Sequence, residues 1–255
     1  MSELEQILQE FEPITLAEME SVKLMNRIDT KFVVPLEVLT SILKQAKSLY
    51  YAQEIGGKRI ATYDTMYYDT DELDMYIRHH DRQLVRQKIR IRQYVDSHLN
   101  FLEIKRKNNK GRTKKKRITL DAPTMANPSD EIKDFIASKS RYTCDELSPK
   151  LRTSFHRITL VNKAKTERLT IDLDLLFDNQ VSGLSKCYDN MVIVELKRDG
   201  NVPSPMLDIM LGERVKPFKV SKYCVGTALT RPDIKRNRFK KKVRLIEKKI
   251  GITNP

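Results

Sequence analysis

Six short segments of the chain place charged, mostly basic, residues two apart within stretches that are otherwise typical of β-strands. They span residues 27–31, 88–92, 103–107, 114–116, 168–172 and 195–197. Because successive residues of a strand point to opposite faces, each segment directs its charges to one face of a sheet. A strand face covered with lysine and arginine is energetically costly unless an anion lies against it. The repeated pattern therefore predicts a closed sheet whose interior binds a polyanion, in the first place a chain of phosphates.

Bulk composition is that of a globular protein with a real core. The chain has 255 residues, 40% of them hydrophobic, and it contains no run of 18 apolar residues that would suggest a membrane span. Its first residues are acidic and do not resemble a signal peptide. Cys144, Cys187 and Cys224 are far apart and odd in number, which suits neither a metal site nor a disulfide framework. We therefore expect a reducing, cytoplasmic location.

The basic charge is unevenly distributed. More than half of the net charge of +14 lies in 231–249, and the remainder is concentrated on the predicted strands. That terminal segment could bind nucleic acid, acidic lipid or a phosphate chain, or form a basic helix without a fixed partner. Tryptophan is absent, and the aromatic residues do not alternate with basic stretches as in single-strand nucleic-acid binders. The pattern thus disfavours nucleic acid as a partner.

Hydrophobic periodicity and turn residues predict an α+β fold, an eight-stranded antiparallel β-barrel with peripheral helices. The expected strands are 25–34, 59–69, 85–95, 99–107, 112–121, 152–161, 166–177 and 190–198. The expected helices are 3–22 with a break at Pro13, 35–48, 71–80, 129–139, 204–211 and 222–229. The domain division that follows is an N-terminal helical extension (1–22), a barrel domain (23–230) and a basic C-terminal tail (231–255).

An ordered set of motifs over residues 20–230 resembles the polyphosphate polymerase domain of the vacuolar transporter chaperone (VTC) proteins, within the triphosphate tunnel metalloenzymes. The motifs are RIDTKF (27–32), YYDT (67–70), KIRIRQY (88–94), EIKRK (103–107), KKKR (114–117), RTSFHRITL (152–160), ERLTIDLD (167–174), VELK (194–197) and FKVSKY (218–223). The resemblance implies a tunnel of eight strands that binds ATP and adds its terminal phosphate to a growing polyphosphate chain, with Mn²⁺ or Mg²⁺ as cofactor. It also implies pyrophosphate or polyphosphate as a second ligand, and a membrane-protein partner at the inner face of a membrane.

Carried over position by position, the resemblance assigns roles to individual residues. Glu195 is expected to bind the metal, and Glu103 and Asp172 are additional acidic tunnel residues. The expected phosphate-binding residues are Lys31, Arg90, Arg92, Lys105, Lys115, Arg157, Arg168, Lys219 and Lys222. For all three carboxylates, an ion pair with a neighbouring lysine or arginine is the alternative.

One position departs from the related CYTH-type triphosphatases and adenylate cyclases. Those relatives begin with a Glu-x-Glu-x-Lys strand, whereas this chain has Arg27 and Asp29 before Lys31. The change favours the polymerase over a tunnel triphosphatase. A non-catalytic module that binds polyphosphate or nucleotide is a third hypothesis, and a nucleic-acid-binding protein is the fourth. We expect His79 and His80 to lie at the surface, and the tyrosines of 63–68 to pack within their strand.

Overall fold

The computed structural model describes residues 2–20, 22, 24 and 27–252. The strands are β1 (Glu12–Ile14), β2 (Arg27–Val34), β3 (Tyr50–Gln53), β4 (Ala61–Asp69), β5 (Arg86–Tyr94), β6 (Leu99–Lys107), β7 (Thr113–Leu120), β8 (Ser148–Asn162), β9 (Glu167–Asn179), β10 (Ser185–Tyr188) and β11 (Val192–Asp199). The helices are α1 (Glu3–Gln9), α2 (Leu16–Glu20), α3 (Leu36–Ala46), α4 (Asp74–His80), α5 (Asp130–Lys139), α6 (Pro205–Gly212), α7 (Lys222–Thr230) and α8 (Asn237–Lys249). Among the described residues, every helix is too short or too polar to serve as a membrane span.

Eight antiparallel strands form the main sheet, in the order β2-β11-β9-β8-β4-β5-β6-β7, and it is curled into a half-barrel. This confirms the α+β class and the eight predicted strands. Because β2 and β7 stand at the two ends of the hydrogen-bonded order, the sheet is open along one side, whereas the sequence suggested full closure. The short strands β1, β3 and β10 were not predicted, since segments of three or four residues are too short for a period to show.

Element boundaries agree with the sequence to within a few residues, apart from two. The expected helix 3–22 is two helices, α1 and α2, with β1 between them at Pro13. The start of the expected strand 25–34 lies partly outside the described residues.

Two groups of helices cover the outer face of the half-barrel. Helices α1, α3 and α6 pack on one half, and α5 packs on the other half near β5 and β6. Apolar residues at alternate strand positions make these contacts, including Ile89, Ile91, Leu102, Ile104, Leu169, Ile171, Val194 and Leu196. The outer face is therefore the hydrophobic core, and the charged residues between these positions are left on the inner face.

Helix α7 fills one end of the inner face. Its Gly226 lies so close to Leu151 and Phe177 that no side chain fits there. Tyr223 on the same helix donates a hydrogen bond to the buried carboxylate of Asp69, which also accepts from backbone amides at the start of α4. This end is therefore plugged by an apolar helix, and the charged region begins beside it.

Both terminal segments pack on the half-barrel. Ile7 and Leu8 of α1 join the outer core, and Phe239 and Ile246 of α8 join the cluster around α7. The C-terminal basic segment is thus a helix with one buried face. The division of the chain at residues 22 and 230 stays a prediction.

The two adjacent histidines do not lie at the surface as expected. His80 is 1% exposed, and its two ring nitrogens lie 2.8 Å from Asp81 Oδ1 and 2.7 Å from Asn237 Oδ1. His79 is half-buried, with Nδ1 3.0 Å from Cys224 Sγ. The sequence expectation was wrong because α7 and α8, which are far away in the chain, cover this side of α4.

We predict that Gly226→Ala destabilises the fold, although alanine is the better helix former. A Cβ at this position would lie 2.7 Å from Leu151 Cδ2 and closer still to the ring of Phe177. Overpacking of this kind costs about 1–3 kcal/mol, which exceeds the roughly 1 kcal/mol gained from helix propensity. Urea unfolding would measure the loss. Gly212→Ala is the control, because a Cβ there meets open space. Equal stability of the two variants would contradict the packing described for α7.

Candidate polyanion-binding site

Strand register brings the charged residues of the inner face together in opposed pairs. Arg90 on β5 lies directly opposite Glu103 on β6. Arg157 on β8 lies opposite Asp172 on β9, and Lys31 on β2 lies opposite Glu195 on β11. Directly opposite residues of antiparallel strands have adjacent side chains on the same face. Hydrogen bonding between strands therefore sets which charges meet.

Each of these three carboxylates is held by two cations. Glu103 accepts from Arg90 Nε at 2.8 Å and from Lys115 Nζ at 3.0 Å. Asp172 accepts from Arg157 Nε at 2.6 Å and also pairs with Lys222. We call these arrangements, together with the one at Glu195, the inner triads.

The third triad differs in exposure. Glu195 pairs with Lys31, and it lies 3.2 Å from Lys197 Nζ. Its side chain is 23% exposed, whereas those of Glu103 and Asp172 are almost fully buried. The Glu195 triad is therefore the one that solvent and ligands reach most readily.

The triads keep the carboxylates ionised. Burial raises the pKa of the Glu103 carboxyl, but Arg90, Arg92 and Lys115 outweigh burial, and the net shift is downward. In the same way Arg157 and Lys222 lower the pKa of Asp172, and Lys197 and Lys31 lower that of Glu195. At neutral pH all three side chains are consequently ionised, so they accept hydrogen bonds and do not donate them.

Of the phosphate-binding residues predicted from the sequence that lie on the inner face, three form no ion pair with a carboxylate of the described residues: Arg92, Lys105 and Arg168. Arg92 is 7% exposed, and Lys105 and Arg168 are half-buried. Burial, followed by the neighbouring arginines, lowers the pKa of Arg92 and of Arg168. For Lys105, the charge of Arg90 is the largest cause of a strongly lowered pKa, and burial adds to it. Buried ionisable groups with strongly perturbed pKa values are candidates for a functional site, and the ligand that suits unpaired cations is an anion.

Aromatic rings support the arginines. The guanidinium of Arg157 lies 4.7 Å from the ring centroid of Tyr63, and that of Arg92 lies 5.5 Å from it. Arg90 Nη1 donates to the hydroxyl oxygen of Tyr67 at 3.3 Å. Such contacts fix a guanidinium without neutralising it. Tyr63 and Tyr67 therefore belong to the packing of the inner face.

The predicted site residues fall into two groups. Lys31, Arg90, Arg92, Lys105, Lys115, Arg157, Arg168, Lys222 and the three carboxylates share the inner face. Lys115 lies opposite Lys105 on β6, which directs Lys114 and Lys116 outward. Lys219 is the exception, because its side chain is exposed at the rim beside α8, where its carbonyl accepts a 2.6 Å hydrogen bond from Lys242 Nζ.

Three inner-face residues were not assigned as site residues from the sequence. Lys197 belongs to the Glu195 triad. Lys88 donates to Ser221 Oγ at 2.9 Å at the start of α7, and Arg117 lies 4.3 Å from the ring centroid of Phe101. The alternation that predicted the inner face already includes Lys88 and Lys197, and Arg117 is two positions after Lys115. The alternation of charged residues along the strands is therefore sufficient to place these three residues on the inner face.

The inner-face carboxylates suit a metal ion that binds together with a phosphate compound better than a metal ion that is held by protein side chains alone. The described residues contain no group of three or more histidine, cysteine, aspartate or glutamate side chains placed to hold an ion. Asp29, the nearest acidic residue of β2 to Glu195, is paired with Arg27 at 2.6 Å. Mg²⁺ and Mn²⁺ commonly bind through one or two carboxylates plus phosphate oxygens. Glu195 could supply the carboxylate of such a ligand set.

Several solved structures are similar to this chain. A putative adenylyl cyclase from Hippeastrum, described as having a dominant triphosphatase activity, is 16% identical with a TM-score of 0.48, and the alignment covers 80% of this chain and 96% of that one. A putative adenylate cyclase from Vibrio parahaemolyticus is 8% identical with a TM-score of 0.46, over 78% and 96% of the two chains. A conserved hypothetical protein from Pyrococcus furiosus is 12% identical with a TM-score of 0.41, over 78% and 99%. Likeness at this level has no bearing on activity. No curated protein matches the chain.

The family comparison is more extensive. The VTC domain matches residues 26–231. This range begins just before β2 and ends just after α7, so it contains all eight strands of the half-barrel and all three inner triads. The match covers well over half of the sequence, and the chain therefore belongs to the VTC domain family.

Proposed function

We propose that this chain is a polyphosphate polymerase that transfers the terminal phosphate of ATP to a growing polyphosphate chain on the inner face. The observation that carries the proposal is the set of uncompensated, buried or half-buried cations, Arg92, Lys105 and Arg168, between triads that hold their other neighbours in place. Membership of the VTC domain family supports the substrate class.

Phosphoryl transfer needs in-line positioning and positive charge around the transferred group more than covalent help. Planar guanidinium groups suit two phosphate oxygens at once, and lysines contribute point charges. In this proposal Arg92 and Arg168 bind phosphate oxygens directly, and Lys105, which lies opposite Lys88 on β5 and Lys115 on β7, adds a point charge. The paired cations orient the chain and are already fixed, so little reorganisation accompanies the reaction.

The inner carboxylates favour transfer to phosphate over hydrolysis. A hydrolase activates water, commonly with a general base whose pKa lies near the working pH. Here cations lower the pKa of Glu103, Asp172 and Glu195, which makes all three poor bases. A phosphate oxygen at the end of a polyphosphate chain is already an anionic nucleophile and needs no such base. This supports the polymerase over the tunnel triphosphatase.

Mg²⁺ or Mn²⁺ bound with the nucleotide would neutralise part of the triphosphate charge. On this chain Glu195 is the residue that would hold it, since its triad is the most accessible. Lys31 and Lys197 would then be free to contact phosphate oxygens. The cytoplasmic location and the membrane-protein partner expected from the sequence remain predictions.

The direct test is synthesis. Purified protein with ATP, Mn²⁺ and a tripolyphosphate primer is expected to make a ladder of long chains on a gel stained for polyphosphate. Loss of one electrostatic contact to the transferred group costs about 10²–10³ in rate, so Arg92→Gln and Arg168→Gln should nearly abolish the ladder. Lys116→Gln, on the opposite face of β7, should leave it unchanged. Free phosphate without chains would indicate a hydrolase, and binding without turnover would indicate a polyphosphate receptor.

Arg92 and its neighbour Arg90 are expected to contribute differently to the free energy of unfolding. We predict that Arg92→Gln keeps or raises the free energy of unfolding, because it removes a buried charge that has no carboxylate partner. Arg90→Gln should lower it by about 3 kcal/mol, since it breaks a buried ion pair with Glu103. Urea unfolding of both variants checks this. A large destabilisation by Arg92→Gln would mean that this arginine has a structural role.

Anion binding should depend on pH through Lys105. Its pKa is strongly lowered in the free protein, and a bound polyanion raises it again, so binding takes up protons where the lysine is partly neutral. Affinity for tripolyphosphate should therefore fall as pH rises toward the ordinary lysine pKa of about 10.4. Calorimetry in two buffers of different ionisation enthalpy measures the uptake. Lys105→Arg should show a smaller uptake, because guanidinium stays charged. An unchanged uptake in that variant would contradict the assignment.

Mn²⁺ and tripolyphosphate should bind together. Without phosphate we expect only weak Mn²⁺ binding, because the described residues offer no preformed ligand group. Glu195→Gln should tighten tripolyphosphate binding without metal, since Lys31 and Lys197 lose a competing carboxylate. The same variant should lose the gain in affinity that Mn²⁺ gives, about tenfold for one charge contact in a partly buried site. Titration calorimetry with and without Mn²⁺ measures both the expected gain in affinity without metal and the expected loss of the Mn²⁺ effect. Substitution of an exposed glutamate, Glu131→Gln, is the control.

A further inference from the structure

Strand β5 carries a cation at every second position, and this row continues beyond the inner triads. Its members are Arg92, Arg90, Lys88 and Arg86, all at alternate positions of one strand and hence on one face. Six residues of extended strand span about 20 Å. A triphosphate is too short to contact both ends of this row. The distal end reaches the rim of the half-barrel beside α8.

Four basic residues lie near that rim, and we call them the rim cluster: Arg86, Lys107, Lys219 and Lys242. Arg86 lies directly opposite Lys107 in the β5–β6 register. Lys242 of α8 donates to the carbonyl of Lys219 at 2.6 Å, and its Nζ lies 5.8 Å from the ring centroid of Phe218. The two pairs are linked because Lys88, next to Arg86 in the row, donates to Ser221 Oγ, two residues after Lys219. The β5–β6 pair, the segment before α7 and α8 therefore all contribute cations to this part of the rim.

The rim cluster carries no compensating charge. Within the part of the chain that the structure describes, none of its four members forms an ion pair with a carboxylate. Burial, followed by the charges of Arg86 and Lys219, lowers the pKa of Lys107. Burial is also the largest cause of the lowered pKa of Lys242, to which the charge of Lys219 contributes. Burial lowers the pKa of the nearby His79 imidazole, and the charges of Lys88, Arg86, Lys242 and Lys107 lower it further. Four like charges held together in this way favour an anionic ligand.

We propose that the rim cluster is a second phosphate-binding site, which holds the distal part of a polyphosphate chain while the proximal part lies between the inner triads. This inference rests on the proposed function and deepens it, because it makes the preferred ligand longer than a triphosphate. The row of cations on β5 connects the two sites, so one extended polyanion contacts both at once. Simultaneous contact at two linked sites raises the affinity for long chains without changing that for short ones.

A recessed cluster fits a flexible chain better than a flat surface. Lys107 and Lys242 are half-buried, and Lys242 is held by the carbonyl of Lys219. An anionic bilayer contacts side chains that protrude, whereas a polyphosphate chain can enter a recess at the edge of the sheet. We therefore assign the rim cluster to a phosphate chain, and membrane binding becomes an outcome of the test.

The test compares chain lengths in one triple variant, Lys107→Gln/Lys219→Gln/Lys242→Gln. We expect its affinity for tripolyphosphate to stay within about twofold of the parent protein. Its affinity for chains of about one hundred phosphates should fall at least tenfold, and the salt slope of log K should decrease by about 2. The charge-matched control is Lys114→Gln/Lys116→Gln/Lys139→Gln, whose side chains are exposed away from the inner face. Thermal unfolding of both variants verifies the fold.

Four results would overturn the inference. Unchanged affinity for long chains, or an equal loss for tripolyphosphate and long chains, would show that the rim cluster is no separate site. An equal loss in the control would reduce the effect to overall charge. A variant that binds long chains normally but no longer binds vesicles rich in phosphatidylserine would reassign the cluster to a membrane. Failure of the proposed function is distinguishable, since it would appear as tripolyphosphate binding that does not depend on Arg92.

Discussion

The inner triads are the interaction on which the rest of this structure depends. Apolar residues of β5, β6, β9 and β11 pack on the outer face, so the charged residues that alternate with them lie on the inner face. The end of the inner face beside α7 is itself apolar. Three cross-strand pairs, Arg90 with Glu103, Arg157 with Asp172 and Lys31 with Glu195, compensate part of the positive charge on this face. Like charges still face each other elsewhere, since Lys105 lies opposite both Lys88 and Lys115. Each of the three carboxylates also holds a second cation, which for Glu195 comes from its own strand. The sheet can therefore fold before any ligand neutralises it.

On the proposed function, the cations that the triads leave without a carboxylate partner form the phosphate-binding site. Arg92 lies one alternate position from Arg90 on the same strand, yet Arg92 faces Phe101 across the strand pair, and Arg90 faces Glu103. On the proposed function, this difference in the residue opposite makes Arg90 structural and leaves Arg92 to bind phosphate. The lowered pKa values of Arg92, Lys105 and Arg168 have the same origin, namely positive charge that burial and other cations disfavour. A bound anion would lower the free-energy cost of this unpaired positive charge, which remains in the ligand-free protein.

Sequence alternation predicted which residues lie inside but not which of them pair. Of the run of three lysines, Lys115 lies on the inner face as predicted, because a strand pattern fixes the face once one neighbour is fixed, and its role in phosphate binding stays a prediction. The Lys31–Glu195 pair joins residues 164 positions apart, and no local pattern reveals a register over that distance. The burial of His80 was missed for the same reason, since its cover includes Asn237 of α8. Whether β2 and β7 meet depends on the curvature of the whole sheet, which alternation does not determine.

On the proposed function, Glu195 has two roles that exclude each other. In the free protein it accepts from Lys31 and lies beside Lys197, and these contacts keep two lysines from repelling one another at the open part of the inner face. A triphosphate competes for the same lysines, and its oxygens are stronger partners for them than one carboxylate is. Glu195 would then be free to hold the cation that accompanies the nucleotide. Such an exchange of partners at one carboxylate would couple nucleotide and metal binding, and it would need no movement of the strands that carry the residues.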